Sequence, residues 1–308
     1  MAPRSLLARL QQAAILFLGC VAAGWLAWHW AASPVLGIAG VLAIVFGHSP
    51  FLAAEFVALR WVGRKDGGPQ PIPQPSVAAL VRAWVAEVFW DLLVFCWRQP
   101  FQWRAIPDRL ENLPGRPRRG VVFIHGFVCN RGFWNPWLRR VGSSGHPFIA
   151  VNLEPLLGSI DSYVPIIDDA VRRITQATGA PPVLVCHSMG GLAARAWLRF
   201  AGDAGRVHHV ITIGSPHQGT WLARRSRLAN GRQMRLQSPW LRELEESGVH
   251  GELFTCWYSN CDNVVFPAAV ATLPGADNRL VRGVAHVELA FHPDVMRESL
   301  AKIQAEGG

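Results

Sequence analysis

The segment Cys186-His187-Ser188-Met189-Gly190-Gly191 joins an apolar run, residues 182–186, to a helix-forming run, residues 192–200. A serine on such a strand-to-helix turn is in the setting of a nucleophile elbow. The tight turn forces the serine into a strained backbone conformation and lifts its hydroxyl above the strand ends. Strand and helix pass close together there, so the residues two before and two after must be small. Gly190 meets that need. Cys186 stands where a glycine is usual, and it is still small. Taken alone, the six residues also fit an ordinary strand–helix loop that happens to contain a serine.

A serine hydroxyl needs a base to activate it, and the base needs a carboxylate to orient it. On a sheet of this kind the chain order is serine, acid, histidine. Asp203, Asp262, Asp277 and several glutamates lie between Ser188 and the last histidines. Asp203 comes too soon after the helix that follows the serine. Asp262 sits in a loop between the apolar run 253–258 and Val264-Val265-Phe266-Pro267, at the C-terminal end of a strand. Asp277 is the runner-up. Beyond Asp262 the histidines are His286 and His292. His286 directly follows a run read as the last strand, with a helix after it; His292 precedes Pro293 at a helix start. The placement favours His286, although a lone aspartate is most often a turn residue and a lone histidine a satisfied polar group. An anionic intermediate also needs two backbone N–H donors. Met189, the residue after the serine, offers one. Phe127, after the run Val121–Ile124 and His125-Gly126, offers the other. His125 reads as a shaper of that loop rather than as a base.

Elements must hold these groups. Strand signals fall at residues 121–124, 147–151, 182–186, 207–213, 253–258 and 280–284, and helix signals at 162–178 and 192–200, with a closing helix. Strands that alternate with helices imply a mostly parallel sheet, and continuously apolar strands imply helices on both of its faces.

The chain has 308 residues, of which 50% are hydrophobic and 17% charged. That apolar content excludes disorder, and six cysteines are too few for a disulfide scaffold. The excess is local. Residues 13–32 carry no formal charge, and at about 1.5 Å per residue they span a bilayer core. A second uncharged run, residues 35–54, follows after Ser33-Pro34. The expected arrangement is a transmembrane helical hairpin over residues 1–62, with Trp25, Trp28, Trp30 and Trp61 near the span ends. A buried helical pair and a cleaved signal peptide are the alternatives. Arg4 and Arg9 precede the hairpin and Arg60, Arg64 and Lys65 follow it, while the turn carries no basic residue. Both ends are therefore expected in the cytoplasm, as a multi-pass inner-membrane protein with a cytoplasmic catalytic domain. Cys256 and Cys261 could be bridged only if that topology were reversed. Residues 63–76 read as a linker with prolines at alternate positions. Residues 77–112 read as an amphipathic helix and connection, with Arg82, Glu87 and Asp91 as the only charges in its helix. The catalytic domain follows over 113–308. Within it, residues 220–248 interleave arginines with Trp221, Leu222, Leu228, Met234, Leu236, Trp240 and Leu241. They read as a lid or cap that could touch anionic lipid. The net charge of +9 fits a lipid surface better than nucleic acid, because no nucleic-acid-binding module accompanies it.

The segments FIHGFVCNRGFW, VLVCHSMGGLAARAWL and ITIGSPHQGT together resemble bacterial lipases and esterases of the α/β-hydrolase superfamily. YSNCDNVVFP and GVAHVEL resemble the acid and histidine segments of that family. The resemblance covers roughly residues 115–300. It implies an α/β-hydrolase fold, a Ser188–Asp262–His286 triad, and hydrolysis of a carboxylic ester or lipid through an acyl-enzyme. Cys186 and the apolar N-terminus depart from secreted lipases and bear on the substrate more than on the reaction. The resemblance implies no cofactor, and no acidic cluster points to a metal. A serine-dependent acyltransferase or thioesterase of the same fold, and a non-catalytic membrane interaction module, are the rival functions.

Overall fold

A computed structural model describes residues 5–63, 72–111, 118–248 and 250–305. Arg4, Arg64, Lys65 and the first part of the proline-rich linker lie outside the described residues, as do 112–117. Four helices come first: α1 (Leu6–Trp30), α2 (Pro34–Phe46), α3 (Ser49–Gly63) and α4 (Val77–Leu93). Helical turns continue α4 through Arg98 into the short α5 (Gln99–Phe101). Then β1 (Val121–Ile124), α6 (Asn135–Ser143), β2 (Phe148–Ala150), α7 (Val164–Thr178), β3 (Val183–His187), α8 (Met189–Ala201) and β4 (His209–Ile213) alternate. Short helices α9 (Ala229–Gln233) and α10 (Pro239–Glu246) precede β5 (Phe254–Ser259) and β6 (Asp277–Val281), and α11 (His286–Phe291) and α12 (Pro293–Ala305) close the chain.

The six strands form one sheet in the order β2-β1-β3-β4-β5-β6, and every neighbouring pair is parallel. The side chains of β1, β3 and β4 are all buried, as strands covered on both faces require. One face is filled from α7 and α8 by Ile167, Ile174, Leu192 and Trp197. The other is filled by Phe133, Trp134, Trp137 and Leu289. This is the α/β-hydrolase architecture expected from the sequence.

Two boundaries differ from expectation. Helix α8 begins directly at Met189 rather than Leu192. Glycine is a poor helix former, but a Cβ on Gly190 would press into the Ile124 carbonyl oxygen and one on Gly191 into Ser215 Oγ. Close packing, not propensity, selects glycine there. The last strand lies at 277–281, not 280–284. As an edge strand it tolerates Asp277, Asn278 and Arg279, which hide it from an apolar scan. His286 therefore follows a turn through Gly283, whose φ of +72° suits glycine, instead of following the strand at once.

The N-terminal region also departs from a simple pair of spans. Among the described residues, α1 alone is by itself long and apolar enough to cross a bilayer. The second apolar run is not one straight helix: α2 and α3 meet at a break with a 47° bend. The cause is packing, because α3 buries Leu52, Glu55, Phe56 and Leu59. Phe56 and Leu59 join Cys261, Phe266 and Ala285 in a small core. The start of α1 is likewise fastened to the sheet domain, where Leu6 N–H donates to Glu154 Oε1 at 3.0 Å. The α1–α2 hairpin thus leaves and re-enters on the same side, with its tip near Ser33. Phe17, Trp28, Val35 and Phe46 are exposed along it, and Val77, Val81, Val85 and Phe89 form an exposed apolar stripe on α4.

The described end of the linker is fixed by Asn260 Nδ2, which donates to the Pro73 carbonyl at 2.8 Å. Residues 220–248 contribute Met234, Leu241 and Leu244 to the α7–α8 side of the core, while Trp221 lies 6.2 Å from Trp61 of α3, ring centre to ring centre. All six cysteines are free thiols, Cys256 and Cys261 included.

Gly190→Ala should destabilise the protein by about 3 kcal/mol or more, since the Ile124 and His125 backbone at the end of β1 cannot yield to the added methyl. Thermal unfolding measures it, and an unchanged midpoint would contradict the packing account.

Candidate active site

Ser188 caps α8 with φ 53° and ψ −128°, a positive-φ conformation unusual for a residue with a side chain. Its N–H donates to the Ile213 carbonyl at 2.9 Å, which ties the elbow to the end of β4. A Cβ on Gly126 would lie 2.8 Å from Ser188 Cβ, so only glycine lets the β1 loop close over the serine. The loop itself is strained, since Val128 has φ 52°. Among the described residues, the Phe127 and Met189 amide N–H groups make no backbone hydrogen bond outside the helices and strands.

The fold brings Asp262 and His286 together. His286 Nδ1 lies 2.9 Å from Asp262 Oδ2, with both side chains buried. Asp262 Oδ1 accepts from the N–H groups of Val264 and Val265 at 3.0 and 2.7 Å, which fixes the carboxylate. A Cβ on Gly214 would sit 3.0 Å from Asp262 Oδ2 and 3.2 Å from His286 Nδ1. The end of β4 therefore carries this pair beside the strand position that holds Ser188. Ser188 Oγ makes no hydrogen bond among the described residues, so the acid side of the constellation is closed and the serine side open.

Other expected positions lie elsewhere. Asp277 is on the edge strand, paired with Arg279 at 2.6 Å. Asp203 caps a short turn after α8. His292 closes α11. His125 shapes its loop: Nδ1 meets the Gly126 carbonyl at 2.9 Å, and Nε2 accepts from Leu153 N–H at 3.0 Å. Burial lowers its pKa to about 4, which keeps the ring neutral. Among the described residues no cluster of three or more His, Cys, Asp or Glu side chains is placed to hold a metal ion.

Four residues that matter to His286 were not anticipated. His187 stacks on Phe133 at 4.5 Å and lies tilted against His286 at 4.7 Å, ring centre to ring centre, and its Nε2 lies 3.3 Å from the His286 carbonyl. Desolvation holds its pKa well below the usual value. The His286 N–H donates to Asn263 Oδ1 at 3.2 Å, and Asn263 Nδ2 donates to Glu55 Oε2 on α3 at 2.7 Å. Glu87 on α4 is 1% exposed and accepts from Val287 N–H at 2.8 and 3.1 Å and from Glu288 N–H at 3.2 Å. A carboxylate at a helix N-terminus satisfies orphan donors and faces the positive end of the helix dipole. The available signal was a charge inside an otherwise apolar helix.

Burial raises the pKa of Glu87 well above its ordinary 4.5, with Asp91 one turn away adding repulsion. The folded chain then binds that proton more tightly than the unfolded chain, so stability should fall as pH rises above about 4.5. Glu87→Gln should flatten that decline. Glu87→Ala, which strips the Val287 and Glu288 N–H groups of their acceptor, should cost roughly 2–4 kcal/mol at acid pH and less as pH rises. Melting temperatures across a pH series would show both; identical curves for wild type and Glu87→Gln would contradict the burial account.

Comparison with solved structures finds the same fold. A Bacillus licheniformis lipase, BlEst2, in its mature form superposes with a TM-score of 0.55 at 16% identity, covering 63% of this chain and 95% of that one. The same lipase in its propeptide form superposes at 0.52 with 18% identity, covering 62% and 51%. No curated protein matches in sequence. Residues 121–298, which carry the six described strands together with Ser188, Asp262 and His286, match the Alpha/beta hydrolase family, and the chain belongs to that family.

Proposed function

We propose that the protein is a membrane-anchored serine hydrolase that cleaves carboxylic esters through an acyl-enzyme on Ser188. The Asp262–His286 hydrogen bond, set beside a strained serine at a strand end, carries this reading most strongly. In the reaction Ser188 Oγ attacks the ester carbonyl carbon and passes its proton to His286 Nε2. Asp262 holds the ring in the tautomer with Nδ1 protonated and stabilises the imidazolium. The N–H groups of Phe127 and Met189 receive the negative charge on the carbonyl oxygen. Collapse of the tetrahedral intermediate expels the alcohol, which takes the proton from His286. Water, deprotonated by the same histidine, then attacks the acyl-serine and releases the carboxylate.

The lipase names of the structural neighbours support an ester or lipid substrate for this chain too. For the anchor, the exposed apolar side chains of α1 and α2 support insertion of the hairpin into a bilayer. From Ala13 to Trp30 helix α1 runs about 27 Å, close to the hydrocarbon thickness. The exposed stripe of α4 then rests at the surface, and the basic cap around Trp221 and Arg224 faces the headgroups. The basic residues flanking the hairpin support a cytoplasmic catalytic domain.

Ser188→Ala should lower p-nitrophenyl ester turnover by about 10⁴-fold or more while the melting temperature holds. Undiminished turnover would remove the serine from the chemistry. For topology, a C-terminal reporter that is active only in the cytoplasm should be active; activity solely of a periplasmic reporter would reverse the orientation.

A further inference from the structure

Helix α11 begins at His286 without an N-cap side chain of its own. Ala285 holds the N-cap position, and alanine has no side-chain oxygen to receive the first N–H groups. A capping side chain would take the N–H groups of Val287 and Glu288. Here they donate instead to Glu87 Oε1 and Oε2 of α4, at 2.8 and 3.2 Å respectively. Arg82, on the same helix, donates to the Gly283 carbonyl just before the cap. Helix α4 therefore holds the chain on both sides of His286.

A second tie reaches His286 from α3. The His286 N–H donates to Asn263 Oδ1 at 3.2 Å, while Asp262, the preceding residue, meets the ring at Nδ1. Two adjacent residues thus grip the backbone and the ring of one histidine. An amide side chain has a donor end and an acceptor end, and this contact forms only with the oxygen turned to His286. Glu55 Oε2 accepts from Asn263 Nδ2 at 2.7 Å and fixes that orientation. Glu55, Glu87 and Asn263 are all buried, away from water that would otherwise stand in for them.

We infer that Glu87 and Glu55 are positioning residues for His286, and that α3 and α4 thereby set the alignment of the base with Ser188. The proposal rests on the reading of Ser188 and His286 as nucleophile and base, and adds two residues from outside the sheet domain. Neither touches the reacting atoms; each acts through the backbone of the histidine. A reacting group displaced by about 1 Å loses roughly 10²-fold in rate, so loosening either tie falls on kcat and spares KM.

The full-length protein in detergent micelles would be assayed with p-nitrophenyl butyrate, with kcat and KM separated. Glu55→Leu keeps the bulk and loses the acceptor; it should lower kcat about tenfold or more, with KM within about twofold of wild type. Glu55→Gln keeps a carbonyl oxygen for Asn263 and should retain kcat within about threefold. Glu87→Ala should lower kcat by about 10²-fold. Adding Ala285→Ser to it supplies the missing cap locally and should recover about tenfold of that loss. If Glu87→Ala does not fold, the Glu55 pair decides alone. A wild-type kcat in either folded variant, an equal loss in Glu55→Leu and Glu55→Gln, no recovery with Ala285→Ser, or a loss carried by KM would overturn the proposal. Wild-type turnover in Ser188→Ala would instead overturn the nucleophile reading beneath it.

Discussion

The Glu87 carboxylate at the start of α11 joins two parts of the molecule that the chain makes separately. A six-residue helix is too short to be stable alone in water, so its position depends on what holds its ends. Here the holding group comes from α4, some 200 residues earlier in the chain, and it binds the two N–H groups that follow His286. The Glu55–Asn263 link from α3 grips the His286 N–H itself. Both ties originate outside the sheet domain. Leaving a buried carboxylate at each point is tolerable only with those donors in place. The helices next to the hairpin and the loop that carries the histidine are therefore one packed unit.

That unit explains the shape of the N-terminal region. Once Glu55, Phe56 and Leu59 are committed to the sheet domain, α3 cannot continue α2 in a straight line, and the chain bends between Phe46 and Ser49. A groove of about 610 Å³ lies between α1, α2 and the end of α4. The high hydrophobic fraction of the composition is spent on the exterior of this region, at Phe17, Trp28, Val35 and Val85, while the sheet domain keeps an ordinary core.

Much of the sheet domain was legible because its signals are local. Buried parallel strands read as apolar runs, and β1, β3 and β5 fall within a residue of expectation. Chain order and placement after strands single out Asp262 and His286, and the fold brings their side chains to 2.9 Å of each other. What stayed hidden depends on distant partners. Hydropathy cannot register the bend between α2 and α3, since an apolar helix looks the same against lipid or against protein. The edge strand β6 carries polar residues because its outer side has no neighbour. Glu87 and His187 have no motif of their own; their roles exist only once α4 and β3 are packed against α11.

The central claim is a covalent one, that Ser188 takes the acyl group. Tandem mass spectrometry of the intact protein after reaction with a long-chain fluorophosphonate tests it most directly. A single phosphonyl adduct on the peptide containing Ser188 is the result this account predicts. No adduct, or an adduct on another serine such as Ser215, would contradict it.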